Sequence, residues 1–361
     1  MSFVYDALPG RVVFGAGASR SQLAPELERL RVSRVLLIAA EREAALATEV
    51  CAPVSGMIVG RFEDVHPHVP IAVAQRARQL ASSLEVDCLL VLGGGSSIGT
   101  AKAIALERAV PIVVLPTTYA GSEMTPIWGL TEASRKTTGR SVAVLPTLVI
   151  YDPELTLTLP PEISGPSAMN AIAHCVEALY APGANPVCSA LAQDGIHALA
   201  TSIPTVVSEL ENLAARTQAL YGSYLAGVCL AGAGAALHHK ICHVLGGAFD
   251  LPHAEMHTVV LPQVVEFIEP AASAQLARAA QALGLSDSSQ LAGALFDLAK
   301  SIGAPTALDT IGLTQADLPR AADLILESAP PAAPRQIDRA SLEVLLERAL
   351  VGGRPVPAGL D

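Results

Sequence analysis

Val91-Leu92-Gly93-Gly94-Gly95-Ser96-Ser97-Ile98-Gly99-Thr100-Ala101-Lys102 is the stretch that decides the fold. A continuous apolar run enters three glycines, two serines follow, and a helical pattern occupies 98–107. Glycines let the backbone approach an anion without side-chain interference. The helix start behind them offers unpaired amides and a partial positive charge, to which the Ser96 and Ser97 hydroxyls add donors. The stretch is neither G-x-G-x-x-G nor a Walker A sequence, so its reading rests on context. Short β-branched or leucine runs recur at 12–14, 35–38, 57–59, 88–92, 112–115 and 148–151, with helical patterns such as 71–84 between several of them. Apolar strands separated by helices imply a parallel sheet covered on both faces, hence a doubly wound, Rossmann-like domain. Pro116-Thr117-Thr118-Tyr119-Ala120-Gly121-Ser122-Glu123-Met124-Thr125 follows the next strand and reads as the second wall of a nucleotide cleft. The polar stretch 134–141 reads as the turn of an excursion.

After Asp152-Pro153 the texture changes. Pro160-Pro161 and Gly165-Pro166 punctuate the chain, and from Met169 to about 350 it is Ala/Leu-rich with helical periodicity. Helices are expected near 167–181, 188–202, 211–233, 235–245, 255–268, 272–283, 288–300, 316–328 and 339–350, with a proline linker over 329–334 and a frayed tail after 352. The expectation is an α/β dinucleotide-binding domain over 1–155 and an all-helical domain over 156–361, with the ligand site in the cleft between them.

Composition excludes several classes. The 361 residues are 51% hydrophobic and only 16% charged, which suits packed helices and buried strands rather than disorder. A net charge of −11 without a basic run leaves nothing to neutralise a nucleic-acid backbone. It also means that an anionic substrate needs a local positive site. The six scattered cysteines form no C-x-x-C pair and read as buried, reduced thiols. With no signal pattern at the start and no apolar run long enough for a bilayer, the expected location is the cytoplasm.

Five of the nine histidines fall between positions 238 and 257, in Leu237-His238-His239-Lys240-Ile241-Cys242-His243 and Leu251-Pro252-His253-Ala254-Glu255-Met256-His257. His239 and His243 are four apart, so a helix projects them from one face, and His253 returns after a Gly-Gly break. Imidazole titrates near neutrality and is the commonest metal ligand, so the cluster reads as a proton-transfer site or a metal site.

Together these motifs resemble the iron-containing (group III) alcohol dehydrogenase superfamily and, within it, the maleylacetate reductases. The resemblance also covers Gly10-Arg11-Val12-Val13-Phe14-Gly15-Ala16-Gly17, Met169-Asn170-Ala171-Ile172-Ala173-His174-Cys175-Val176-Glu177-Ala178-Leu179-Tyr180 and the region 334–354. It implies the dehydroquinate-synthase-like fold, a homodimer, and a metal site that maps to positions 170, 174, 239 and 253. Here the aspartate position is Asn170, beside His174, His239 and His253. A neutral amide does not offset a divalent charge, so the expectation is an enzyme that works without metal.

The implied reaction is the NADH- or NADPH-dependent reduction of maleylacetate, a dicarboxylate, to 3-oxoadipate in aromatic-compound degradation. Hydride arrives at the carbon β to the ketone and charge builds on the ketone oxygen. His243 and His253 are expected to be the electrostatic and acid groups, with His174 and His239 completing an imidazole-lined pocket. Asn170 and Lys240 are the substrate-binding candidates. Gly94, Gly95, Ser96, Ser97, Thr117, Thr118 and Ser122 are expected to hold the nucleotide, with Lys136 close by. In NAD-preferring members an acid follows the second strand; Ala40 stands at about that position, with Glu41 and Arg42 next, so NADPH is expected to be tolerated beside NADH. The alternative reading is a metal-dependent alcohol or polyol dehydrogenase of the same superfamily. A dehydroquinate-synthase-like lyase would need a phosphate-binding set of cations, but 169–257 holds only Arg216 and Lys240.

Overall fold

The computed structural model describes residues 3–8, 10–132, 135–328 and 333–356, apart from the side chains of Arg135 and Lys136. They form two compact units, one over Leu8–Leu159 and one from Pro160 onward that also takes in the segment up to Ala7.

Every apolar run of the first unit is a strand. These are β1 (Arg11–Phe14), β2 (Val35–Ile38), β3 (Ile58–Phe62), β4 (Cys88–Gly93), β5 (Ile112–Pro116) and, after the hairpin strands β6 (Ile127–Glu132) and β7 (Arg135–Arg140), β8 (Leu148–Tyr151). The main sheet is parallel throughout, in the order β1-β8-β5-β4-β2-β3. Its four central strands are buried at every position, whereas the edge strands β1 and β3 are half-exposed. That gradient is why the central runs are uninterrupted Val, Leu and Ile. Helices α1 (Ala18–Leu30), α2 (Ala44–Val50), α3 (Ile71–Ser83) and α4 (Gly95–Ala105) connect them. Leu23 and Leu27 of α1 pack into one core with Leu37, Leu90, Leu92, Leu115 and Ile150. Asp152, just after β8, accepts from the Gly17 and Ser19 amides, both at 3.0 Å, and so caps α1 with a negative charge.

Two details differ from the sequence reading. The polar stretch 134–141 is not a turn, because residues 135–140 form β7, antiparallel to β6. Gly139 pairs with Trp128, and a Cβ there would fall 2.5 Å from the indole ring, so the aromatic fills the space a side chain would need. Second, α4 starts at Gly95 rather than Ile98, which places Ser96 and Ser97 in its first turn.

The second unit is helical: α5 (Pro161–Ala178), α6 (Pro186–Ser208), α7 (Leu213–Ala233), α8 (Leu237–Phe249), α9 (His253–Ala282), α10 (Leu291–Ser301), α11 (Leu318–Glu327) and α12 (Arg339–Val351). The two helices expected over 255–283 are one element kinked at Ala272, two residues after Pro270, whose ring cannot continue the helical hydrogen-bond ladder. The expected linker at 329–334 lies largely outside the described residues, and of the tail expected from 352 only 352–356 are described. Among the described residues no single helix is long and apolar enough to cross a membrane.

Candidate functional site

In the sheet unit the glycine turn is shaped by contacts that only glycine permits. Gly93 has φ +151°, and a Cβ on it would lie 2.5 Å from Ser97 Oγ and 2.9 Å from Glu43 Oε2. At Gly94 a Cβ would meet the Thr118 side chain at 2.8 Å, whereas at Gly95 it would meet nothing within 4 Å. The first turn of α4 therefore opens with bare backbone amides, an arrangement that suits a pyrophosphate. Thr117 is buried and donates from Oγ1 to Glu43 Oε1 at 3.1 Å, and the Ala40 amide donates to Glu43 Oε2 at 3.3 Å. Burial raises the pKa of Glu43, while Arg42 and these hydrogen bonds pull it back. Ser122 lies in a segment tied down by Lys102. The fully buried Nζ of Lys102 sits 2.7 Å from Ser122 O, 2.8 Å from Thr125 O, 2.9 Å from Ile127 O and 3.0 Å from Thr125 Oγ1. Burial lowers this ammonium to about 7, against the pull of Glu123. The three backbone carbonyls among these oxygens match the three N–H donors of an ammonium, so the pocket is built for the protonated form. Thus the turn, Thr117, Thr118 and Ser122 are ordered around the ends of β4 and β5. The Lys136 side chain lies outside the described residues.

In the helical unit α5, α8 and α9 bring histidines together. Asn170 and His174, four apart on α5, are both buried. His239 is the hub: its ring centroid is 4.8 Å from that of His174, 5.2 Å from His238, 4.8 Å from His257 and 6.0 Å from His243. His253 stands at the first position of α9, exposed, with its ring 4.4 Å from His257. His243 is half-buried, as is Lys240. Four expected catalytic imidazoles therefore do share one cluster, but two further histidines complete it. His238 and His257 are fully buried and joined Nε2 to Nδ1 at 2.8 Å.

Glu177, fully buried three residues after His174, organises the hub. One oxygen pairs with His239 Nδ1, and the carboxylate also accepts from the Ala236 amide at 3.1 Å and the His239 amide at 3.3 Å. His239 Nε2 is consequently left without a partner and aimed away from the carboxylate. These bonds and the nearby imidazoles outweigh burial and hold Glu177 down to about 2. Burial first, and neighbouring imidazoles second, keep His174 and His257 well below the usual imidazole range; burial takes His238 to about 3. Those three are neutral at physiological pH. The buried members of the cluster therefore offer neutral rings, and the less buried His243 and His253 are the ones that face water. Sequence reading passed over Glu177, Glu43 and Lys102, although each lies within or beside a stretch it singled out. The available signal was helical or turn spacing, three residues from His174 and from Ala40.

Comparison with known proteins matches both units. Residues 9–153 fit the iron-containing alcohol dehydrogenase family and residues 166–350 the C-terminal domain of the Fe-containing alcohol dehydrogenase family. The chain belongs to the iron-containing alcohol dehydrogenase family and is an NAD(P)H-dependent oxidoreductase. It is 48% identical to the maleylacetate reductase of Pseudomonas sp. (strain P51), over 99% of this chain and 100% of that protein. The crystal structure of maleylacetate reductase from Rhizobium sp. strain MTP-10005 matches at 42% identity with a TM-score of 0.92, covering 98% of this chain and 100% of that one. An iron-containing alcohol dehydrogenase from Corynebacterium glutamicum ATCC 13032 matches at 46% identity with a TM-score of 0.94, over 98% of each chain.

The family name raises the question of a metal. Asn170 Oδ1, His174 Nδ1 and His239 Nε2 are buried without partners, as ligand atoms would be. Against that, the position that should supply an anion carries an amide, and the carboxylate inside the cluster, Glu177, is spent on His239 and two backbone amides. Among the described residues, the trio whose donor atoms lie within 4.8 Å of one another is His238, His239 and His257, not His174, His239 and His253. Two of that trio already bond to each other. The donor set does not fit the site that the resemblance designates.

Proposed function

We propose that the chain reduces the carbon–carbon double bond of maleylacetate to 3-oxoadipate, and that it does so without a metal. The observation that carries this reading is the imidazole cluster around His239, in a chain whose similarity to maleylacetate reductases runs from end to end. Gly94, Gly95, Ser96 and Ser97, with Thr117, Thr118 and Ser122, would hold the dinucleotide. When bound, it supplies the hydride. Addition at the alkene carbon β to the ketone pushes the π pair onto the ketone oxygen as an enolate. His243 and His253, the least buried members, donate hydrogen bonds to that oxygen, and one of them returns a proton to the α carbon. His174, kept neutral by burial, and His239, oriented by its Nδ1 contact with Glu177, shape the wall, and Asn170 supports it. Lys240, half-buried one residue from His239, supplies charge for a substrate carboxylate. Because conjugation spreads the developing charge, imidazole donors suffice where an unactivated ketone would call for a Lewis acid.

The test is NADH or NADPH oxidation on adding maleylacetate, with and without chelator, beside simple alcohols with the oxidised nucleotide. Chelator-resistant enedioate reduction supports the reading. Alcohol oxidation that stops with chelator and returns with iron or zinc would instead establish the metal-dependent dehydrogenase. We further infer a homodimer, which sedimentation of the purified protein checks.

A further inference from the structure

The nucleotide cradle contains a carboxylate that hydride transfer does not use. β2 lies beside β4 in parallel register, Ile38 opposite Val91, so the segment that leaves β2 stands next to the glycine turn. That segment forms a single turn of 3-10 helix, Glu41–Glu43. It leaves Glu41 and Arg42 in solvent and turns Glu43 inward, with its side chain only 13% exposed. The carboxylate is held by the Thr117 hydroxyl at the end of β5 and by the Ala40 amide, directly over the face of Gly93. In doubly wound sheets, a carboxylate at the end of the strand adjoining the glycine-bearing strand is where the adenosine ribose hydroxyls are received. Ala40 has no group for that task. Arg42 is the cation beside it; its Nε lies 3.9 Å from Glu43 Oε1 on a largely exposed side chain, so it offsets the carboxylate weakly and is not held over the cradle.

We propose that Glu43 determines nucleotide specificity: its carboxylate accepts the adenosine ribose hydroxyls of NADH and disfavours the 2′-phosphate of NADPH. A phosphate at that point would bring like charge against a half-buried carboxylate, with only the solvent-exposed Arg42 to offset it. The proposal narrows the broader tolerance of both nucleotides suggested by Ala40. It rests on the dinucleotide reading of the glycine turn and is independent of which substrate is reduced.

The experiment is calorimetric titration of the protein with NADH and, separately, NADPH, without any substrate. For the native chain the Kd for NADPH should exceed that for NADH by at least about tenfold. Glu43→Gln keeps an oxygen for Thr117 but removes the charge, and should bring the two constants within about threefold, chiefly by tightening NADPH. Arg42→Ala should leave the ratio unaltered. Equal affinities in the native chain, a preference for NADPH, an unchanged ratio in Glu43→Gln, or a selective loss of NADPH binding in Arg42→Ala would each overturn the proposal. Binding of neither nucleotide would remove it together with the cradle. Clear discrimination in a protein that fails to reduce maleylacetate would uphold Glu43 and sink only the substrate assignment.

Discussion

The glycine turn after β4 and the histidine cluster of α5, α8 and α9 both suit anionic ligands, yet they are built in opposite ways. At the turn the ligand meets backbone: Gly93 and Gly94 leave space that neighbouring side chains already border, and the amides at the start of α4 face outward. In the cluster the ligand meets side chains drawn from three helices, several of them buried with a nitrogen or oxygen unpaired. A backbone site is specified by a few consecutive residues and tolerates little local change. A convergent side-chain site depends on tertiary packing, and its members differ sharply in exposure and charge. Substitutions in the turn should therefore act on nucleotide affinity, and substitutions in the cluster on turnover or on stability, depending on burial.

The strongest way to break that contrast is to remove one of the less buried imidazoles. His243→Ala and His253→Ala should each lower kcat for maleylacetate by about 10²–10⁴-fold, the range for loss of a positioned acid, while the Kd for NADH stays the same. Both side chains lie on the open side of the cluster, so thermal unfolding should move little. Near-normal turnover would mean that the proton comes from elsewhere. A parallel loss of nucleotide affinity would mean that the two sites are not functionally separable.

Replacing Glu177 probes the buried side. Its carboxyl falls from 4.5 to about 2 in the folded chain, so the folded form binds its proton less readily than the unfolded form. The resulting stabilisation is present above pH ~4.5, fades as pH falls, and is gone below pH ~2; two and a half units amount to roughly 3 kcal/mol. Denaturant unfolding of the native chain and of Glu177→Gln at pH 7 and at pH 3 should therefore give a gap that narrows at the lower pH. A gap that widens on acidification would show that the carboxylate is not the stabilised form.

How much of this was legible in the sequence is explained by the same contrast. The runs of the main sheet, its four central strands above all, and most helices could be read because burial on both faces, or on one stripe, writes a continuous or periodic apolar pattern. β7 could not, since Thr137, Thr138 and Gly139 belong to a hairpin outside the main sheet, where the glycine matters only because Trp128 lies opposite. In the cluster, the four-residue spacing exposed His239 with His243, whereas His174 and Asn170 were reached only through the family resemblance. His238 and His257 read equally well as structural or as functional members of the histidine block, because what joins them is the packing of α8 against α9 and not any spacing along the chain. Glu43 was hidden for a related reason: attention to the first residues after β2 missed the one that a single helical turn carries back over Gly93.

The smallest effects sharpen the turn itself, where adjacent glycines should behave differently. Gly93→Ala forces a Cβ onto a left-handed backbone and against Ser97 and Glu43, so it should lower stability by about 1–3 kcal/mol and displace the two groups that border the cradle. Gly95→Ala adds a methyl where nothing stands within 4 Å, at the first residue of α4. Reduced freedom of the unfolded chain and better helix propensity should raise stability there by about 0.4–1 kcal/mol. The same variant is the finer test of the backbone site. If a pyrophosphate approaches α4 at its first amide, the added methyl should weaken NADH binding measured by calorimetry even as the thermal midpoint rises. Unchanged affinity in Gly95→Ala would place the anion against Gly93 and Gly94 alone.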